Sequence, residues 1–305
     1  MGSAARAGDN AGWSLRTAYP DAPPQRMDIS AALASSLDRM PHFPETFHRL
    51  MAVSRDDPHE DKEIVAVLSA DPVITFRVLR VVNSAYFGMA REIGSLEHAV
   101  RVLGCNSIRN MVLTFSAVGV LPPRLANTFD VDKFLLHSLT TAHIAEQLAR
   151  HFADTGLPEA YTAGLLHDFG KVLLAWTFPQ EFAQATVQAS RAGIPLLLAE
   201  KRQFGTDHAQ LGAGLATRWN FPATLTQSIA NHHQTPDAQG LGRCLFLANQ
   251  LPKLLDTDSG ADDQLEPLPS EWSPDLGTYE SLLSRLPHLE DTVTQAQTLM
   301  AALKH

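Results

Sequence analysis

Cysteine is nearly absent from this chain. There are two in 305 residues, Cys105 and Cys244, far apart and outside any CxxC pattern. That excludes a disulfide scaffold and a thiolate zinc site, and it suits a reducing compartment, so the cytoplasm is the expected location. Runs of positive charge are missing as well. Asp and Glu outnumber Lys and Arg, 33 to 24, and the formal charge is -9. A surface of that sign repels a phosphate backbone, so nucleic acid is not an expected partner. No apolar stretch approaches the ~20 residues that a membrane span requires, so no membrane is expected either. The first 27 residues have no apolar h-region and therefore no signal-peptide pattern. Rich in Gly, Ala, Pro and Asp, they are expected to form a mobile tail. Alternating apolar and polar residues are also lacking, which excludes half-buried strands of any length.

What the chain does have is helical spacing. Hydrophobic residues make up 45% of it, enough for a sizeable core. From about Asp28 onward they recur at three- and four-residue intervals, as where Ile64, Val67 and Leu68 share one face. Asp71-Pro72 reads as the start of a helix, with an acceptor for orphan N–H groups and a ring suited to the first helical position. Ser95 opens a helix that stops at Gly104. Asn106 or Ser107 opens the next, which ends at Pro122-Pro123. The two prolines and the following RLANTFD read as a joint. Beyond it, helices are expected over 130–153, 158–169, 171–176, 179–192, 195–203, 207–219, 222–233 and 241–255. An acidic, Pro-containing loop and one or two closing helices follow. The expected architecture is all-α with two lobes, 28–125 and 126–257, and a C-terminal extension over 258–305.

Histidine is the residue whose placement stands out. In GLLHDFGK, His167 and Asp168 sit between apolar runs, where burial is costly without a partner. His137, His208, His232 and His233 lie on other expected helices and could converge on that pair. Imidazole and carboxylate together suit iron, manganese, zinc or nickel, and an ion held there would supply Lewis-acid chemistry. Lys171, one helical turn beyond Asp168, is placed to hold a phosphate oxygen. His143 and His151 read as surface or satisfied core residues. His232 and His233 also have a plain reading, as imidazoles favoured by the negative end of a helix.

The segments RMPHFPETFHRLMAVS, LSADPVITFRVLRVVNSAYFG and IGSLEHAVRVLGCNSIRNMVL occur in that order, followed by LLHSLTTAHIAEQLA, AGLLHDFGK, FGTDHAQLGAGLATRWNFP and IANHHQ. From about Leu33 to Leu255 the chain resembles the HDOD domain, the HD-related output domain of bacterial signalling proteins. Its second lobe resembles the HD superfamily, an all-α bundle of metal-dependent phosphohydrolases with the pattern H…HD…D. The resemblance implies that His137 is the first metal ligand and His167-Asp168 the central doublet. His208 and His232 or His233 would match the additional histidines of the HD-GYP relatives that cleave cyclic-di-GMP. The final aspartate of the pattern falls on Asn249, and the Glu those relatives carry before the first His is Lys133 here. The Gly-Tyr-Pro signature is absent after His232-His233, so cyclic-di-GMP hydrolysis is not expected.

The resemblance implies a signalling output module that acts by binding a protein or a small phosphate-containing ligand, around a partly retained metal site. No receiver, cyclase or kinase segment is recognised, so input is expected from a separate molecule. The alternative is a metal-dependent phosphohydrolase acting on a nucleotide or other phosphoester. In that case Asp168 would hold the ion and Lys171 would offset developing charge.

Overall fold

The computed structural model describes residues 29–303 except 56, 85–86, 123–124, 126–128, 153–157, 235–239, 256, 258–263 and 287–288. The tail expected over 1–27 lies outside the described residues, as does part of the acidic loop. Among the described residues there are helices and no strand, the all-α class that apolar spacing predicts.

The first five helices are α1 (Ile29–Arg39), α2 (Glu45–Ala52), α3 (Glu60–Ser69), α4 (Pro72–Val82) and α5 (Leu96–Gly119). Asp71 caps α4 as expected. Its Oδ1 accepts from the N–H groups of Val73 and Ile74, both at 3.1 Å, with Pro72 in the first turn. Asn83 ends α4. Its amide donates to the carbonyls of Leu79 and Ile93 and accepts from the Ile93 N–H at 2.7 Å, so it ties the helix end to the loop that follows. The two helices expected on either side of Gly104 meet there in a kink, at φ 81° and ψ 158°, a conformation that glycine alone adopts cheaply.

Next come α6 (Val131–Phe152), α7 (Ala160–Leu166), α8 (Phe169–Thr177), α9 (Pro179–Ala192), α10 (Leu196–Phe204), α11 (His208–Arg218), α12 (Ala223–Ala230) and α13 (Leu241–Gln250). A 3-10 turn at Leu251–Leu255 leads to α14 (Ser273–Leu276), α15 (Tyr279–Arg285) and α16 (Leu289–Leu303). Two helices stop earlier than their spacing predicts, α7 at Leu166 and α12 at Ala230, so His167, Asp168, His232 and His233 occupy turns. The cause is local. His167 Nδ1 donates to the Gly164 carbonyl at 2.8 Å and His232 Nδ1 to the Ile229 carbonyl at 2.7 Å. Each ring takes one of the last carbonyls, which would otherwise lack a partner at a helix end. The helix expected over 241–255 is α-helical only to Gln250, because Pro252 has no N–H to continue the ladder.

Buried apolar side chains form two clusters. The smaller joins α2 to α5 through Leu50, Ile64, Leu68, Val78 and Ile108, and the larger fills the space among α6 to α13. Helix α1 and the segment after it pack on the larger one. The Trp219 indole donates to the Pro41 carbonyl at 3.1 Å, and its ring meets Phe43 edge-on at 4.8 Å between centroids. Leu299 of α16 lies against both clusters. Two glycines bring backbones into contact. A Cβ on Gly170 would stand 1.9 Å from the His208 carbonyl oxygen, and one on Gly164 would stand 2.6 Å from Ala142 Cα. The start of α8 therefore touches the start of α11, and α7 lies flush on α6.

Candidate metal centre

Those approaches gather residues from five parts of the chain. His137 projects from α6 and His167-Asp168 from the turn between α7 and α8. His208 is the first residue of α11, His232 and His233 follow α12, and Asn249 lies on α13. His167, Asp168, His208 and His232 are 0% exposed, and His137 and Asn249 are 1% exposed. Asp168 stands at the middle. Its Oδ2 is 3.4 Å from His167 Nε2 and 3.7 Å from His137 Nε2. Its Oδ1 is 3.4 Å from His208 Nε2 and 3.6 Å from His232 Nε2. His233 joins through its Nε2, 2.8 Å from that of His208, and Asn249 Oδ1 is 3.1 Å from His137 Nε2 and 3.2 Å from His167 Nε2. Lys171 is buried, with Nζ 2.7 Å from Asp168 Oδ2. Outside this group, His143 packs edge-on against Tyr161, while His151 and Lys133 are exposed.

All five imidazoles are held by Nδ1. His137 Nδ1 meets the Thr257 carbonyl at 3.0 Å, and His167 and His232 bond the carbonyls already described. His208 Nδ1 is 2.5 Å from Glu200 Oε2, and His233 Nδ1 bonds Glu266 Oε1. Carbonyl and carboxylate oxygens only accept, so each Nδ1 carries a proton and each ring turns its Nε2 edge toward the centre. Outer partners fix the tautomer and aim of metal-binding histidines in this way. Glu200, Glu266 and Thr257 carry no signal in the sequence. Glu200 sits within an ordinary helical pattern and Glu266 within an acidic loop, and neither has a spacing that points toward its histidine.

The electrostatics follow from enclosure. Burial pushes the His137 pKa down to about 3 and that of His232 to about 4, so both rings are neutral at neutral pH. For His208 burial acts the same way, but the Glu200 carboxylate outweighs it and the pKa rises. Burial would also raise the pKa of Asp168. The His167 ring and the Lys171 ammonium overcome it and hold the carboxyl well below its usual range. Asp168 Oδ1, His232 Nε2 and Asn249 Nδ2 are buried with no hydrogen-bond partner in the protein, and such atoms cost ~1–3 kcal/mol each.

These features fit a divalent ion. Two groups of ligand atoms each lie within 4.8 Å of one another: Asp168, His208, His232 and His233 in one, and His137, His167 and Asp168 in the other. Their nitrogen and carboxylate donors suit iron, manganese, zinc or nickel.

The chain is similar to known proteins in sequence and in fold. The sequence profile of the HDOD domain matches residues 40–235. An uncharacterized protein of Treponema pallidum (strain Nichols) is 28% identical over 288 residues, which is 92% of this chain and 53% of the relative. The chain thus spans about half the length of that relative. A crystal structure from Shewanella amazonensis, provisionally described as a phosphohydrolase, is 28% identical with a TM-score of 0.63, over 90% of this chain and 97% of that one. A Marinobacter aquaeolei structure, provisionally described as a signal transduction protein, shares the fold at 23% identity and a TM-score of 0.70. It covers 91% of this chain and 66% of that one.

Proposed function

Because the chain belongs to the HDOD family, we propose that it is a signal-transduction output module that acts by binding a protein or a small phosphate-containing ligand, with a divalent ion held at its His/Asp centre. One observation carries this reading, the enclosure of the centre. A hydrolytic metal site keeps a position open for water and substrate. Here the central ligand atoms belong to side chains at most 1% exposed, and Lys171, at 2%, is turned onto Asp168 instead of outward. The residues to hold an ion are His137, His167, Asp168, His208, His232, His233 and Asn249. The ion's contribution is to tie separate parts of the chain into one rigid unit. Among the described residues no helix is long and apolar enough to cross a membrane. Cys105 and Cys244 are free thiols, in keeping with a cytoplasmic site of action.

A second reading, metal-dependent phosphohydrolase, draws support from the pairing of Asp168 with Lys171 and from the likeness to the Shewanella protein. On that reading the ion supplies Lewis-acid chemistry at phosphorus, and Lys171 stabilises the charge that develops. Elemental analysis of protein purified without chelator, with a phosphodiesterase and nucleotidase panel run on wild type and Asp168→Ala, separates the two. The expected result is bound metal and no turnover above background. Turnover that disappears in Asp168→Ala establishes the hydrolase instead.

A further inference from the structure

Where α5, α6, α7 and α16 meet there is a cavity of about 270 Å³. None of the described residues that line it belongs to the His/Asp centre. Met111 comes from the smaller apolar cluster and Tyr161 from the larger, so the cavity sits on the boundary between them. Leu299 of α16, which packs on both clusters, lines it as well. Pockets that hold small molecules have this make-up, apolar walls with a few polar groups, and a volume just under the usual ~300–1,000 Å³ suits one small ligand.

The polar groups decide what the cavity can take. Asn110 is 6% exposed. Its Nδ2 donates to Glu146 Oε2 at 3.1 Å, and its Oδ1 is buried with no hydrogen-bond partner in the protein. Turning the amide over is no remedy, because it would set an oxygen against the Glu146 carboxylate. Asn110 therefore needs a donor from elsewhere. His143 stands edge-on to Tyr161, and among the described residues neither of its ring nitrogens has a hydrogen-bond partner. Burial pushes its pKa down to about 4, so the ring is neutral, with one nitrogen to donate and one to accept. Glu146 Oε1 pairs with Arg150 Nη2 at 2.9 Å. Carboxylate and guanidinium cancel, and the lining as a whole has no net charge. Such a cavity favours a neutral polar group over an ion.

A neutral ligand with an N–H donor, a second hydrogen-bonding position and a flat face to lie against Tyr161 has the chemistry of a nucleobase. We propose that this cavity binds the base of a nucleoside or nucleotide, with a base N–H donating to Asn110 Oδ1, the His143 ring bonding a further edge atom, and Arg150 turning to the phosphate where the ligand carries one. The Arg150 side chain is 61% exposed and can make that turn. A bound base would bridge the two apolar clusters. The proposal rests on the reading of the chain as an output module that binds a small ligand, and it does not involve the metal centre.

The test is calorimetric titration of the full chain with adenosine, guanosine, cytidine and uridine and with their 5′-monophosphates. At least one base is expected to bind with a Kd below about 1 mM. His143→Phe keeps a ring against Tyr161 and removes its nitrogens. It and Asn110→Ala should each weaken that Kd about tenfold, the loss of one hydrogen bond, with the Tm of His143→Phe close to that of wild type. Arg150→Ala should leave the nucleoside Kd within roughly threefold and weaken the monophosphate about tenfold. No binding by any of these compounds, or binding that both Asn110→Ala and His143→Phe leave intact, overturns the proposal. Either result leaves the protein-binding form of the output module standing, since metal content and turnover decide that reading.

Discussion

Asp168→Ala is expected to destabilise the metal-free protein more than any other single change at the centre. The carboxylate accepts from the Lys171 ammonium at 2.7 Å, with both residues at most 2% exposed. Alanine leaves that ammonium buried without its counter-charge, and breaking a buried pair by removing one partner costs ~3–5 kcal/mol. Asp168→Asn separates charge from hydrogen bonding. It keeps an oxygen for Lys171 and adds N–H groups that the surrounding Nε2 lone pairs can accept, so its cost should be nearer ~1–3 kcal/mol. The measurement is urea unfolding in the presence of chelator, where a lower midpoint at constant slope reports stability alone. At about 2–4 °C per kcal/mol, the corresponding fall in Tm for Asp168→Ala is roughly 6–20 °C. Metal adds a second difference. An ion at 100 times its Kd stabilises wild type by about 2.7 kcal/mol, and the alanine variant should gain far less. Asp168→Ala within ~1 kcal/mol of wild type in chelator, or indistinguishable from Asp168→Asn, would show that the Asp168–Lys171 pair is not what holds the centre together.

Acid should weaken the metal-free protein before its carboxylates titrate. His137 and His232 have folded pKa values of about 3 and about 4 against an ordinary 6.5. As pH falls below 6.5 the unfolded chain takes up protons that the folded rings refuse. Each such ring costs about 1.4 kcal/mol for every pH unit below 6.5 at which it stays neutral, so stability drops toward pH 4 by several kcal/mol. His208, with its raised pKa, opposes this in part. Unfolding free energies from pH 7.5 down to 4.5 that rise on acidification would contradict the buried neutral rings. Gly170→Ala places a Cβ 1.9 Å from the His208 carbonyl oxygen. It should force α8 from α11 at a cost of ~3 kcal/mol or more and abolish metal uptake, as thermal melts and elemental analysis will show; near-native behaviour would mean the two helices are not in backbone contact. Asn249→Asp restores a carboxylate beside His137 and His167 and removes the amide donor. The expected result is tighter binding of a divalent ion, and an unchanged Kd would imply that position 249 lies outside the coordination.

Much of the fold is legible in the sequence because it is built from local chemistry. Apolar spacing, the Asp71-Pro72 cap and the break at Gly104 involve residues within a turn or two of each other, and they read directly from the chain. The histidines and Asp168 stand out as candidates partly because polar residues between apolar runs are costly to bury, and partly through the ordered HDOD-like segments. Asn249 is reached by that resemblance alone, since nothing in its own surroundings distinguishes it from a helix-surface amide. Periodicity puts the ends of α7 and α12 too late because it does not register a ring that takes a carbonyl three residues back.

The amino-acid sequence by itself determined that this protein is all-α and that it has imidazoles and an aspartate to bring to one buried place. Only the tertiary structure decided how those groups are aimed. The acceptors that fix His208, His233 and His137 lie 8, 33 and 120 residues away along the chain. Which nitrogen carries a proton, and which side of Asp168 lacks a donor, depends on partners that meet only when the helices pack. Hydrogen bonding acts over about 3 Å in space, and at these separations the linear sequence holds no trace of it.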